Sequence, residues 1–344
     1  MKKKKIIIAI VGVIVIIAVA VSLVFVLGKD EEVKETLNKV KDKIQEKKVK
    51  IVDVNSKSRP YAVMINNLND ARAVQSGLTD AYMVYEIIVE GGITRYLALY
   101  KDANPERLGS IRSSRHYYLD YVLENDAIYV HWGWSPQAKE DIKQLGINNI
   151  NGGNYDGGKF YRDNPFGLSS EHTGFTSMES LLKITEDKGY RTKTDKGLLL
   201  NYSAESIKFD ETAQEANKVT IKYSNYITNY YEYDAESKLY TRYVNNSENK
   251  DYANGETIKV KNIIAYAVEN YTIAGDRKNR QFLNNIGSGE GIYISEGKAV
   301  KINWKKDGRS DKTIYTLENG EELVVNDGNT FIQIYPLTGS VTME

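Results

Sequence analysis

Between Val219 and Tyr335 nine short segments either alternate apolar and polar residues or are rich in β-branched ones. They are Val219–Tyr226, Tyr230–Tyr233, Leu239–Val244, Thr257–Val268, Gly291–Ile294, Ala299–Trp304, Thr313–Leu317, Glu322–Val325 and Thr330–Tyr335. Turn dipeptides separate many of them: Asn254-Gly255, Glu296-Gly297, Asp307-Gly308, Asn319-Gly320 and Asp327-Gly328. Short strands punctuated in this way point to antiparallel β structure, because glycine takes positive φ in a tight turn at no steric cost. Residues 211–344 are therefore expected to form an antiparallel β-rich domain.

The preceding part reads differently. Tyr61–Ile65 is a β-branched run that predicts a buried strand. Tyr82–Val89 and Thr94–Tyr100 flank Gly91-Gly92, which predicts a hairpin. Ser114 is expected to cap a helix carrying Tyr118, Leu119, Val122 and Leu123 on one face. Ala127–Trp132 predicts another strand. Ser135-Pro136 and Ser177 predict the starts of two further helices, closed near Gly146 and Gly189. Strands interleaved with helices make residues 59–205 an α/β domain with a mixed sheet.

The amino terminus sets the compartment. Lys2–Lys5 precede Ile6–Leu27, 22 residues without a charge. As a helix this run would span about 33 Å, enough to cross a bilayer core. The lysines before it orient the rest of the chain outward. Ala18-Val19-Ala20 has the form of a signal-peptidase site, but Val21–Leu27 stays apolar beyond it, which favours an uncleaved anchor. Residues 1–28 are thus expected to be a single-pass anchor in the cytoplasmic membrane. Residues 29–58 form a charged stalk, on which Val33, Leu37, Val40 and Ile44 trace one short helical stripe. The chain has no cysteine, so no disulfide, thiolate metal site or lipid-bearing cysteine is available.

The formal net charge is zero, but its parts do not cancel locally. Residues 59–210 hold 17 basic and 20 acidic residues, and residues 211–344 hold 16 and 19. The folded part is acidic and a poor partner for nucleic acid. Arginine is the exception. Between residues 59 and 138 six of seven basic residues are Arg (Arg59, Arg72, Arg95, Arg107, Arg112, Arg115), although the chain is Lys-rich as a whole. A planar guanidinium grips phosphate or carboxylate with two parallel hydrogen bonds, and Lys does not substitute there. The competing explanation is structural pairing with carboxylates such as Glu86, Glu90 and Asp80.

Two segments concentrate candidate groups. Arg112-Ser113-Ser114-Arg115-His116 is expected to lead into a helix, where free N–H groups favour an anion. His131-Trp132-Gly133-Trp134 joins a strand to a capped helix and offers aromatic walls for a sugar ring or apolar ligand. All three histidines fall between residues 116 and 172, but without metal-ligand spacing, so no metal or other cofactor is expected. Val89–Gly92 and Gly287–Gly291 read as hairpin turns rather than phosphate loops, since neither opens a helix.

Arg59-Pro60-Tyr61-Ala62-Val63-Met64-Ile65-Asn66-Asn67, Ala71-Arg72, Gln75-Ser76-Gly77-Leu78, Val84-Tyr85-Glu86 and Val89-Glu90-Gly91-Gly92-Ile93-Thr94-Arg95 resemble the YerB-like family of Gram-positive envelope lipoproteins. Ile111–Arg115, His131–Pro136, Gly287–Gly289 and Ile302–Lys306 fit the same pattern. The resemblance spans about residues 59–335. It implies an α/β N-terminal domain and a β-rich C-terminal domain, both of unknown function. Members are typically lipid-anchored; here the apolar helix would take that role. A fainter likeness is to the LytR-CpsA-Psr phosphotransferases, whose extracytoplasmic arginines line a lipid-pyrophosphate site. Those enzymes place Asp beside key arginines, whereas Ser113 follows Arg112 and His116 follows Arg115 here.

The reading that follows is a non-enzymatic envelope protein whose Arg-rich cleft binds an anionic cell-wall polymer, a lipid-linked precursor or an envelope protein. Arg72, Arg95, Arg112, Ser113, Ser114, Arg115, His116, His131, Trp132 and Trp134 would line it, with Glu86 and Glu90 orienting the arginines. The alternative is a phosphotransferase or hydrolase acting on a phosphorylated envelope lipid, with His116 or Glu90 as base.

Overall fold

The computed structural model describes residues 48–344. The expected anchor at Ile6–Leu27 and the stalk up to Lys47 lie outside the described residues. Among those described, no helix is long and apolar enough to cross a membrane. The folded part starts before Arg59: Val52 is buried, and the Lys50 and Ile51 amides donate to the Asp327 carboxylate at 2.8 and 3.0 Å.

In the first half the strands are β1 (Tyr61–Asn66), β2 (Met83–Ile88) and β3 (Thr94–Tyr100), followed by helix α1 (Tyr118–Glu124) and β4 (Ile128–His131). Then come α2 (Pro136–Gln144), β5 (Asn149–Asn151), β6 (Phe160–Arg162), β7 (Gly174–Thr176) and α3 (Met178–Asp187). The β2–β3 hairpin turns through Gly91 and Gly92 at φ 72 and 71, as the sequence requires. Ser135 and Ser177 are true N-caps, accepting from the Ala138 and Ser180 amides at 3.2 Å each. Ser114 is not a cap. The helix after it starts only at Tyr118, without a side-chain cap, because residues 111–115 are held extended by neighbouring backbone.

The second half adds β8 (Lys218–Lys222), β9 (Thr228–Asp234), β10 (Leu239–Val244), β11 (Asn262–Val268), β12 (Gly287–Ser295), β13 (Lys298–Lys306), β14 (Ile314–Leu317), β15 (Thr330–Pro336) and β16 (Ser340–Met343). It is β-rich as expected, but not wholly antiparallel. β11 and β15 pair in parallel, as do β15 and β2. Gly287–Gly291 is strand rather than turn. Its glycines admit side chains from above: a Cβ on Gly289 would meet the Trp304 indole at 2.9 Å, and one on Gly291 the Tyr266 Cβ at 3.1 Å.

One 11-stranded mixed sheet runs through both halves, in the order Gln214–Glu215, β13, β12, β11, β15, β2, β3, β1, β4, β5, with β14 beside β13. The seam is β15 against β2, in register from Met83 opposite Thr330 to Ile87 opposite Ile334. β1, β2 and β3 are buried at every position, which explains their unbroken apolar runs. A smaller antiparallel sheet holds β10, β9, β8 and β16. One apolar core takes Val63, Tyr85 and Leu97 from the first half and Ile264 and Ile332 from the second.

Candidate functional site

β1, β4 and β5 run parallel, so Asn66, His131 and Asn151 end at one edge of the sheet. Crevices beyond the carboxyl ends of parallel strands are where open α/β sheets take ligands. Both candidate segments lie there, side by side. The Arg112 amide donates to the Met64 carbonyl at 2.9 Å and the Trp132 amide to the Arg112 carbonyl at 3.0 Å. The Ser114 amide donates to the Gly133 carbonyl at 2.9 Å and the Ser135 amide to the Ser114 carbonyl at 3.1 Å. Ser113 Oγ adds a bond to the Trp132 carbonyl at 3.0 Å. Beneath them the buried His131 ring has Nδ1 2.8 Å from the Gly133 carbonyl and Nε2 3.1 Å from Asn149 Oδ1. Burial lowers its pKa to about 4 against those two contacts, so the ring is neutral and holds the Trp132–Trp134 turn in place.

The arginines separate into two kinds. Arg95 and Arg115 are buried and committed to Glu90. Arg115 Nε donates to Glu90 at 2.9 Å and its Nη2 donates to the same carboxylate; Arg95 Nη2 lies 3.3 Å away. Their remaining bonds go to the Ser113 and Ser114 carbonyls, at 2.6 and 2.8 Å. Burial raises the Glu90 pKa, but the Arg115 hydrogen bond and the Arg95 charge outweigh it and bring the group down to about 2. Such a carboxylate is a poor base. His116 is buried between Tyr117 and Phe282, and burial takes its pKa to about 4.

Arg112 and Arg162 differ. Together with Ile111, Trp132, Ser170, Glu171 and Gly174 they line a cleft of about 210 Å³. Trp132 is its wall. A Cβ at Gly152 or Gly174 would stand 2.8 or 2.6 Å from the indole, so only glycine lets the ring seat there. The Arg162 guanidinium lies over that ring, 4.5 Å from its centroid. Arg162 also bonds Asp156 at 3.1 Å and the Ser170 carbonyl at 2.5 Å. Arg112 makes one side-chain bond, from Nη2 to Glu171 at 2.9 Å. Its Nε is buried and has no hydrogen-bond partner among the described residues.

The cleft therefore gathers Arg112 and Trp132, with Ser113 tied to the Trp132 backbone behind them. Trp134 faces away from it, into a second concavity. Arg72 lies elsewhere, half-buried over the Asn67 carbonyl at 3.4 Å and the Asn69 side chain. Glu86 does not orient the first-half arginines; it is fully buried against Arg242 at 2.7 Å. Arg162 was not legible as a site residue, because it lies outside the Arg-rich stretch and only the fold carries it to Trp132.

Acid should act in two steps. His131 and His116 have folded pKa values near 4, below the usual 6.5, so the stability they support is complete above pH 6.5 and declines from there to 4. Glu90 sits at about 2 instead of 4.5, so its share is complete above 4.5 and lost as pH falls toward 2. Urea titrations across this range should show Glu90→Gln flattening the lower step alone. A Glu90→Gln variant with the wild-type slope between pH 4.5 and 2 would contradict the assignment.

Comparisons with known proteins agree with this architecture. The model of the N-terminal domain of a protein family of unknown function, DUF3048, matches residues 48–191, and that of its C-terminal domain matches residues 219–332. YerB of Bacillus subtilis (strain 168), which carries a provisional lipoprotein designation, is 32% identical over 282 residues, 81% of each chain. The crystal structure of the Bacillus subtilis YerB protein superposes with a TM-score of 0.72 at 30% identity, covering 83% of this chain and 94% of that one. With matched models in both halves and a homologue aligned along most of its length, this chain belongs to the DUF3048 family of YerB-like proteins.

Proposed function

We propose that this chain is an extracytoplasmic, membrane-associated binding protein that takes an anionic component of the cell envelope in the cleft between Arg112, Arg162 and Trp132. The observation that carries the reading is the buried Arg112 Nε, a donor without a partner, in a cleft shared with a second guanidinium. Buried donors are nearly always satisfied, so one left unpaired on a residue that lines a cleft is a candidate contact for a ligand acceptor. At about 210 Å³ the cleft suits one phosphate or carboxylate group rather than a whole lipid or sugar chain. Membrane association is supported by the 22-residue apolar run and by the lipoprotein designation of the Bacillus relative. The two groups expected to serve as base in the phosphotransferase alternative are poorly suited to it, since Glu90 is held at about 2 and His116 is packed against aromatic rings.

Residues 48–344, which hold their own core, should bind phosphorylated envelope fragments in calorimetric titration. Arg112→Ala and Arg162→Ala should each weaken binding by about tenfold or more, the loss of one charge-assisted bond pair. Wild-type affinity in both variants would sink the cleft.

A further inference from the structure

A second concavity lies across the Trp132-Gly133-Trp134 turn from the first. It measures about 690 Å³ and is lined by Trp134, Asn149, Asn151, Lys139, Lys143 and Lys188, among others. The two share the turn as a common ridge, with Trp132 in one wall and Trp134 in the other. Asn151 pins that ridge: its Oδ1 accepts from the Gly133 amide at 3.0 Å and the Gly153 amide at 3.3 Å. Gly133 has φ 80, so the turn at the crest is set by backbone that other residues rarely adopt.

The folded part is acidic, and some of its exposed lysines pair with a carboxylate, as Lys183 does with Glu179 and Lys218 with Glu232. Lys139, Lys143 and Lys188 have no ion pair within 4.0 Å among the described residues. Lys139 lies over the Trp134 ring at 5.6 Å and Lys188 over Tyr190 at 5.3 Å. Glu140 is the one carboxylate in the lining, and its Oε1 accepts from Gln144 instead. Three lysines with one acid leave this concavity positive. Three asparagines, Asn149, Asn151 and Asn154, supply neutral donors and acceptors between them.

We propose that the two concavities form one track for a linear polyanion, a chain of phosphates spaced by polyol or sugar units. One anionic group sits between Arg112 and Arg162, the chain crosses the tryptophan ridge, and later groups meet Lys139, Lys143 and Lys188. This rests on the cleft reading above and adds the class of ligand to it. A fixed guanidinium pair gives an anchor, whereas flexible lysines around an open concavity tolerate a variable spacing. A second contact on the same chain is intramolecular once the first is made, so affinity should rise with chain length.

The test uses residues 48–344 with tripolyphosphate and long-chain inorganic polyphosphate as probes, and dextran sulfate as a control for charge alone. The long chain should bind at least about tenfold tighter than tripolyphosphate. The triple variant Lys139→Ala, Lys143→Ala, Lys188→Ala should lose that gain, lower the salt slope of long-chain binding by roughly 2 to 3, and leave tripolyphosphate binding unchanged. Arg112→Ala should weaken both probes. If length brings no gain, if the gain survives loss of the lysines, or if dextran sulfate binds equally well, the track is wrong while the cleft stands. If Arg112→Ala leaves both probes bound as before, the cleft and the track fall together.

Discussion

Expressed apart, residues 59–205 and 211–344 are expected not to fold. The break would fall along the seam of the main sheet. β2 is buried at all six positions and is flanked by β3 on one side and β15 on the other. Without β15 its register partners from Met83 to Ile87 are lost, and an apolar strand presents unpaired amides and carbonyls at an open edge. Buried ionic partners would also be separated, because Glu86 meets Arg242 and Glu124 meets Lys306 across the same seam, at 2.7 and 2.8 Å. Asp251 from the second half accepts from the Gly77 and Thr79 amides, each at 3.1 Å, so even the loop before β2 is held from the other side. Circular dichroism and urea unfolding of each half should show no cooperative transition, and co-expression should restore a soluble pair. A half that unfolds cooperatively with a native near-ultraviolet spectrum would show the seam to be dispensable.

That outcome bears on what the sequence could disclose. Local features were legible. Gly91-Gly92 marked its hairpin because positive φ is a property of a few adjacent residues, and Ser135 and Ser177 marked helix starts for the same reason. Features made by distant residues were not. Gly287, Gly289 and Gly291 resembled a turn, but Gly289 and Gly291 make room for Trp304 and Tyr266 within strands. β15 read as one more antiparallel strand, although it is inserted in parallel between β11 and β2. The Arg excess has mixed structural causes. Arg95 and Arg115 are structural, paired with Glu90 as the packing alternative required, while Arg112 keeps a free donor. Its neighbour Arg162 gave no signal, since stacking on Trp132 depends on β6 and β4 being brought together. The matched family models likewise divide the chain near residues 191 and 219, although one sheet spans the division.

Replacing Arg242 with Met should lower stability by about 3–5 kcal/mol, the cost of stranding one member of a buried ion pair. Both side chains of the pair are fully buried. Glu86 also accepts from Asn229 Nδ2 and Thr94 Oγ1 at 2.7 Å each and from Asn67 Nδ2 at 3.2 Å. Those neutral donors remain in the variant, but they do not replace a charge in a site closed to water. Packing is not the main loss. Arg242 runs between the Tyr96, Tyr231 and Phe331 rings, with its guanidinium carbon 5.2, 5.8 and 5.5 Å from their centroids, and the flexible apolar Met stem fits the same slot. At roughly 2 °C per kcal/mol for a body of this size, the melting temperature should fall by about 6–10 °C. Adding Glu86→Gln removes the stranded carboxylate and should return about 1–3 kcal/mol, so that the double variant is more stable than Arg242→Met alone. If Arg242→Met costs less than about 1 kcal/mol, or if Glu86→Gln deepens its loss, the charge pair is not what joins the two halves at this point.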